Sequence, residues 1–190
     1  MDRVENVMRL AACAGVGPRT YRRLIDAFGS AEEALGAPIA ALERVEGVSR
    51  KAAEAIASCA AFDPEPELAR AGERQVRILT QSDPEYPRQL RAIDDPPILL
   101  YVRGELRPTD AIAIAIVGTR EPSSYGHAQA RRFAVALVKA GFTVVSGLAR
   151  GVDSSAHEGA LGAQGRTIAV LGTGLGRIYP EENRDMAAEI

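Results

Sequence analysis

The chain's 190 residues are enough for one ordinary domain or two small ones, and 46% hydrophobic with 25% charged residues is typical of a globular protein. A net charge of −2 excludes a broad basic surface, so any phosphate binding has to come from a local arrangement of side chains. The sequence has neither an apolar stretch of about 20 residues that could span a bilayer nor the apolar core of a signal peptide. These features predict a cytoplasmic protein with no membrane partner.

The two cysteines, Cys13 and Cys59, are too few and too far apart to indicate a metal site or a disulfide framework. We therefore expect free thiols, as is usual in a reducing cytoplasm. Among the 23 basic residues only Lys51 and Lys139 are lysines. Arginine suits bidentate phosphate contacts, although a GC-rich genome would produce the same bias.

Residues 1–60 are predicted to be helical and contain a weak repeat. Gly15–Tyr21 (GVGPRTY) and Gly47–Ala53 (GVSRKAA) lie 32 residues apart, and apolar helical runs follow them at Tyr21–Phe28 and Ala52–Ala60. A glycine turn before a helix leaves backbone N–H groups free to meet a phosphate. Glycine also ends ordinary helices, however, and residues 1–60 hold eight basic and eight acidic residues. The pattern favours a helix-hairpin-helix fold and leaves open whether it contacts DNA or a partner protein.

Residues 61–111 change character because prolines interrupt them. Phe62–Pro66 ends the preceding helix, since proline cannot continue one. A short helix near Glu67–Glu73 and strands at Val76–Leu79 and Ile98–Val102 are expected, the last of them buried. We interpret this segment as a scaffold that extends the following sheet or docks the N-terminal domain onto it.

Three short apolar runs then alternate with longer segments: Ile112–Val117, Phe142–Val145 and Ile168–Leu171. Each is rich in β-branched residues, ends at or near a glycine and is too short for a stable helix, which predicts buried parallel strands. The intervening segments, including a helix to about Lys139, are long enough for crossover helices. Ligands of such open α/β sheets bind beyond the carboxyl ends of the strands.

Small residues, hydroxyls and arginines follow each predicted strand. The candidate anion-binding residues are Gly118, Thr119 and Arg120 after the first strand, Ser146, Gly147, Arg150 and Gly151 after the second, and Gly174, with Gly172 and Thr173 beside it, after the third. Glycine allows a ligand to approach the backbone, and a helix N-terminus favours an anion. Ser123 or Ser124 would cap the first helix, Asp153 would cap the second, and His157 would pack beside Asp153 one turn later.

The signatures of catalysis and of cofactor binding are missing. Asp153 and His157 with Ser146 or Ser154 could in principle form a hydrolase triad, but no Gly-x-Ser-x-Gly elbow is present. Neither the Gly-x-Gly-x-x-Gly dinucleotide fingerprint nor a Gly-x-x-x-x-Gly-Lys phosphate loop is found. We therefore predict no catalytic residues, no cofactor and no metal. A nucleotide-binding enzyme on the same fold stays as the alternative.

Together these loops resemble the DNA-processing protein A (DprA/Smf) family. The resemblance is carried by Gly118-Thr119-Arg120 with Ser124-Tyr125-Gly126, by Ser146–Asp153 with Ala156-His157, by Thr167–Gly174 with Ile178–Asn183, and upstream by Tyr86-Pro87 and Pro97–Gly104. It implies an α/β protein in which residues 1–62 form a small all-α helix-hairpin-helix or SAM-like domain. Residues 63–190 would form an extended Rossmann-like domain with a doubly wound, mostly parallel sheet.

The resemblance also implies a function. Members bind single-stranded DNA and load the RecA recombinase onto it during natural transformation, without a known catalytic site. It maps a DNA-contacting arginine onto Arg120, with Arg150 and Arg184 as further candidates. The family's Rossmann-like domain extends beyond residue 190, so we expect an incomplete sheet here, with an uncovered strand edge that favours association. The resemblance also implies that the full-length protein is a homodimer.

Overall fold

The computed structural model describes residues 3–59 and 62–190. It divides the chain into two compact units, with the border between Glu105 and Leu106. Residues 63–105, assigned above to the second domain, lie in the first unit. Their inclusion has a packing reason, because Ile98 and Leu99 contact the core that the N-terminal helices form.

The first unit begins with short helices, as the composition predicts. The helices are α1 (Val4–Ala12), α2 (Pro18–Phe28), α3 (Ala31–Gly36), α4 (Ile39–Leu42), α5 (Arg50–Ser58), α6 (Glu65–Glu73) and α7 (Arg88–Arg91). Their core contains fully buried Val7, Leu10, Leu24, Leu42 and Ile56, which come from four different helices. Ala60, the predicted end of the last helical run before the prolines, lies outside the described residues.

The two glycine turns form the predicted pair of helical hairpins. Gly15 and Gly47 adopt positive φ angles of 88° and 83°, which glycine reaches without a steric penalty. Gly17 caps α2, with Pro18 as its first residue, whereas the Ser49 side chain caps α5 by accepting a hydrogen bond from Ala52 N (3.2 Å). The second copy therefore replaces the glycine cap by a hydroxyl cap and keeps the hairpin.

Cys13 and Cys59 are joined by a disulfide, so the expectation of free thiols is wrong. The last turn of α1 and the end of α5 bring their Cα atoms to 6.1 Å, a normal distance for a disulfide. Forty-six residues separate them in sequence. Spacing along the chain gave no sign of a contact that only the packing of the helices creates.

The expected strands of the middle segment form a sheet of their own. β1 (Val76–Thr80) and β2 (Leu99–Arg103) pair antiparallel, with Ile78 opposite Tyr101. They do not extend the parallel sheet, so that part of the interpretation is wrong. β2 is also only half-buried rather than buried, because it faces solvent along one side.

The second unit is a three-stranded parallel sheet with helical crossovers, in the order β3-β4-β5. Its elements are a 3₁₀ helix (Pro108–Ala111), β3 (Ala113–Ala115), α8 (Ser124–Lys139), β4 (Thr143–Ser146), α9 (Val152–Gly162), β5 (Thr167–Ala169), a second 3₁₀ helix (Glu181–Asn183) and α10 (Arg184–Glu189). The helices α8 and α9 pack on each other and on β4. The α/β class with a helix-hairpin-helix unit and a Rossmann-like parallel sheet is thus confirmed.

β3 differs from the buried strand that its apolar sequence predicts. It is three residues long and exposed, and flanking Ile112 and Val117 are 59% and 73% exposed. The reason is its position at the edge of the sheet, where β4 is its neighbour among the described strands. β4, in the middle, is the strand that is buried, with Val144 fully inaccessible.

Candidate nucleic-acid interface

The loops that follow β3, β4 and β5 meet at one edge of the parallel sheet. Val152 N donates a hydrogen bond to Thr119 O (3.2 Å), which joins the first loop to the start of α9. A Cβ atom on Gly151 would lie 2.7 Å from the carbonyl carbon of Arg120, and one on Gly118 would lie 2.7 Å from a methyl group of Val152. The first two loops therefore touch through glycine positions that have no room for a side chain.

A cavity of about 240 Å³ opens where these loops converge. Five of the predicted residues line it: Arg120, Gly147, Arg150, Gly172 and Thr173. The other lining residues, Glu121, Ala149, Leu171 and Tyr179, were not predicted. The rule that ligands of open α/β sheets bind beyond the strand ends predicted the position of the cavity. The pattern of glycines and arginines did not predict all of the residues that line it.

The remaining predicted residues lie around the cavity without lining it. Thr119 Oγ1 accepts a hydrogen bond from Glu121 N (3.2 Å), which folds the first loop back on itself. Ser146 is buried, and its hydroxyl donates to Ile116 O (2.6 Å), so it connects β4 to β3. Gly174 is exposed with a φ of 73°. Gly118 and Gly151 act through the close approach described above.

The three candidate arginines differ in their electrostatic partners. Arg150 forms two hydrogen bonds to the Glu182 carboxylate, Nε to Oε1 at 2.9 Å and a second to Oε2 at 3.1 Å. These hydrogen bonds raise the pKa of Arg150 above its ordinary value. Arg184, which does not line the cavity, pairs with Glu181 at 3.0 Å. Arg120 has no ion pair within the described part of the chain.

Asp153 organises the second loop from inside α9. The helix begins at Val152 with Gly151 as its N-cap, so Asp153 is not the capping residue that was predicted. Its carboxylate accepts hydrogen bonds from Gly147 N (3.1 Å) and Ala149 N (3.4 Å) instead. Because α9 starts two residues earlier than predicted, the acid faces back onto the loop and holds the backbone that lines the cavity. On α8, the Ser123 side chain accepts from Gly126 N (3.3 Å).

His157 is completely buried behind this loop. Thr167 Oγ1 donates to Val144 O (2.9 Å), so the 2.8 Å contact to His157 Nδ1 requires the imidazole nitrogen to donate. Burial lowers the pKa of His157 to about 4, so the ring is neutral at pH 7. Ser154 Oγ donates to Ala149 O (2.7 Å), and Ser146 bonds to Ile116, so both candidate serine hydroxyls are used by the backbone.

The third loop is fixed at its far end by Asn183. Its side-chain amide donates to Leu148 O (2.9 Å) and to Ser154 Oγ (2.8 Å). Leu148 is buried with a φ of 59°, a conformation that non-glycine residues rarely adopt. The buried amide thus ties the segment after β5 to a strained residue after β4, which stabilises both.

The hairpin turns of the first unit offer less positive charge than their sequence suggests. Arg19, at the start of α2, pairs with Asp95, and Arg50, at the start of α5, pairs with Glu54. The hydrogen bond from each arginine to its acid raises the pKa of that arginine. Whether these turns contact DNA stays an open prediction.

Within residues 3–59 and 62–190, no cluster of His, Cys, Asp and Glu side chains has the geometry of a metal site. In the same residues, no helix is both long and apolar enough to cross a membrane.

Comparison with known proteins adds two family matches and several relatives. Residues 77–190 match the model for DNA recombination-mediator protein A, and residues 2–61 match that for the DprA-like N-terminal HHH domain. Protein Smf of Synechocystis is 42% identical over 181 residues, which cover 93% of this chain and 46% of that protein. The chain thus spans about half the length of this curated relative.

Two solved structures are also similar. The X-ray structure of DprA from Streptococcus pneumoniae superposes with a TM-score of 0.78 at 25% identity, over 99% of this chain and 64% of that one. DprA from Helicobacter pylori, described for its single-stranded DNA binding mode, gives a TM-score of 0.51 at 33% identity, over 61% and 51% of the two chains. With both of its domains matched in order, the chain belongs to the DNA recombination-mediator protein A (DprA/Smf) family.

Proposed function

We propose that the cavity at the strand ends binds single-stranded DNA and that the protein is a non-enzymatic mediator of recombination. The observation that carries the proposal is the pairing of Arg120 and Arg150 on one cavity whose other walls include exposed loop backbone. Guanidinium groups and backbone N–H groups are common phosphate ligands in proteins. The single-stranded DNA binding mode described for DprA from Helicobacter pylori supports the same ligand.

Arg120 is the residue on which the proposal is tested most directly. Because its guanidinium has no carboxylate partner among the described residues, it is available to a phosphate. Arg120→Ala should weaken binding to oligo-dT and make log affinity against log salt less steep by about 0.7, the value for one phosphate contact on a single strand. Fluorescence anisotropy at several salt concentrations measures both quantities.

Arg132→Ala supplies the matched control. Arg132 is an exposed arginine of α8 that does not line the cavity, so its removal changes the net charge equally. The assignment fails when Arg120→Ala and Arg132→Ala have the same affinity and salt slope.

The alternative, a nucleotide-binding enzyme, is favoured by the place of the cavity beyond parallel strands. It predicts that a mono- or dinucleotide raises the melting temperature, with a stabilisation of about 2.7 kcal/mol at 100 times its dissociation constant. If no nucleotide of a panel raises the melting temperature while oligo-dT does, the ligand of the cavity is a DNA strand rather than a nucleotide.

We also infer that the whole protein works in the cytoplasm and loads RecA onto the strand as a homodimer. The family description as a DNA recombination mediator supports the recombinase-loading part of this inference. RecA ATPase activity on DNA coated with single-strand-binding protein tests it, since a loader shortens the lag before hydrolysis. A lag that the full-length protein leaves unchanged would contradict the role in loading RecA. Light scattering of the 190-residue chain shows separately whether this part of the protein dimerises.

A further inference from the structure

Tyr179 is an exposed aromatic side chain in the wall of the cavity. Its exposed fraction is 51%. Aromatic residues are scarce in this chain, with five tyrosines, four phenylalanines and no tryptophan. The exposed aromatic residues of the second unit are Tyr125, Phe133 and Tyr179, and among them only Tyr179 lines the cavity.

The backbone around Tyr179 is fixed on both sides. The next residue, Pro180, is fully buried, and Asn183 is anchored to the loop after β4 by the two hydrogen bonds described above. On the preceding side, Thr173 Oγ1 donates to Arg177 O (3.1 Å). A tyrosine side chain has only two rotatable torsions, so a ring on a fixed backbone loses little entropy when a ligand covers it.

The surroundings of the ring fit a flat, uncharged partner next to a charged one. Gly147, Ala149 and Gly172, which line the cavity with Tyr179, carry small side chains or none. Arg120 and Arg150 line the same cavity and supply positive charge. One nucleotide of a single strand has both parts, an aromatic base and a phosphate.

We propose that Tyr179 is a stacking platform for a base of the bound strand and thereby selects single-stranded over duplex DNA. A duplex keeps its bases stacked on each other, so it can offer the arginines its phosphates but cannot offer the ring a base. The proposal rests on the proposed function, because it assumes that a strand enters the cavity. It adds to that function a residue that recognises bases rather than charge.

A double-mutant cycle between protein and DNA tests the platform. The wild-type chain and Tyr179→Ala are titrated with oligo-dT and with an abasic strand of equal length, which keeps the phosphates and lacks the bases. Loss of one stacked base should weaken binding roughly 5- to 150-fold. We expect Tyr179→Ala to lose this factor on oligo-dT with an unchanged salt slope, and to lose nothing further on the abasic strand.

Control variants separate stacking from folding. Tyr125→Ala removes a ring that is 73% exposed and lies outside the cavity, so it should bind both strands like the wild type. Tyr179→Phe should keep full affinity, and Tyr179→Leu, which retains apolar bulk, should fall between Phe and Ala. Melting curves establish which variants are folded, and the Phe and Leu variants keep the test valid when the Ala variant is not.

Three results would overturn the platform. Tyr179→Ala could weaken binding equally on both strands, which would show a role independent of bases. It could leave affinity unchanged while Arg120→Ala still reduces the salt slope, in which case the phosphate site stands without the platform. When neither variant affects binding, the proposed function itself fails.

Discussion

At the scale of single residues, the ion-pair partners of three arginines distinguish positions that the sequence analysis assigned to one site. The predicted strand ends indicated Arg120 and Arg150, and the family resemblance put Arg120 first and added Arg184. In the structure, Arg150 forms an ion pair with Glu182, and Arg184 forms one with Glu181. A phosphate at Arg150 therefore has to compete with a carboxylate that already occupies one edge of the guanidinium, Nε and Nη2.

Replacing Glu182 tests this competition. Glu182→Gln removes the negative charge that occupies Arg150, so we expect a few-fold tighter binding to oligo-dT and a steeper salt dependence. Salt-titrated anisotropy is the measurement. Glu158→Gln is the control, because Glu158 is an exposed acid paired with Arg131 and lies outside the cavity. Equal effects of the two variants would indicate bulk charge, and weaker binding by Glu182→Gln would show that Glu182 positions Arg150 for the phosphate.

Single residues also show where sequence reasoning stopped. The positions of Arg120, Gly147 and Arg150 beside the cavity were predictable because they follow the strand ends of an α/β sheet. Tyr179 was not predicted to line the cavity because its exposure depends on the fold of a loop whose sequence has no periodicity. Asp153 was singled out correctly but given the wrong contact, since a shift of two residues in the start of a helix redirects its carboxylate.

At the scale of elements, the disulfide connects α1 and α5, which lie at opposite ends of the helical repeat. The apolar periodicity of the sequence predicts that these helices form, but it does not predict how they pack against each other. The same holds for the strands, because the number and direction of β3, β4 and β5 were predictable from length and composition. Their burial was not, since it depends on which neighbours the sheet has.

Reduction of the Cys13–Cys59 disulfide should destabilise the helical unit. A link that closes a sequence separation of 46 residues restricts the unfolded chain by about 4 kcal/mol in the chain-entropy account. We expect a reducing agent to lower the melting temperature of the wild type, followed by circular dichroism, with two thiols appearing in a thiol titration.

Cys13→Ala with Cys59→Ala provides the comparison for this experiment. The double variant should melt at a lower temperature with or without the reducing agent. A wild-type protein that already titrates two thiols in the absence of reductant would contradict the disulfide.

At the scale of the whole molecule, each of the two units has its own core and contains one group through which solution conditions should change its stability. The disulfide lies in the first unit and His157 in the second, packed among buried residues of α9 and β5. Net charge stays close to zero, so DNA binding depends on the local site rather than on attraction by the entire surface. Changes in redox state and in pH should therefore act on different units.

Acidification should destabilise the second unit through His157. The folded-state pKa of about 4 lies below the ordinary 6.5, so the unfolded chain binds a proton that the folded one excludes, and stability falls as the pH drops from 6.5 to 4. The loss at pH 5 should be on the order of 2 kcal/mol. Urea unfolding at pH 7 and pH 5 measures it. His157→Gln cannot titrate and should remove most of this pH dependence, and a wild type equally stable at both pH values would contradict the burial of a neutral ring.

The contact of Gly151 with the backbone of Thr119 and Arg120 brings the first two loops as close together as two backbones can come, so no side chain separates them. In the proposed complex, a sugar-phosphate chain that crosses both loops therefore meets them at this short separation. Under the same proposal, a side chain added at Gly151 would push the loops apart and change the distance between the phosphates that they can bind.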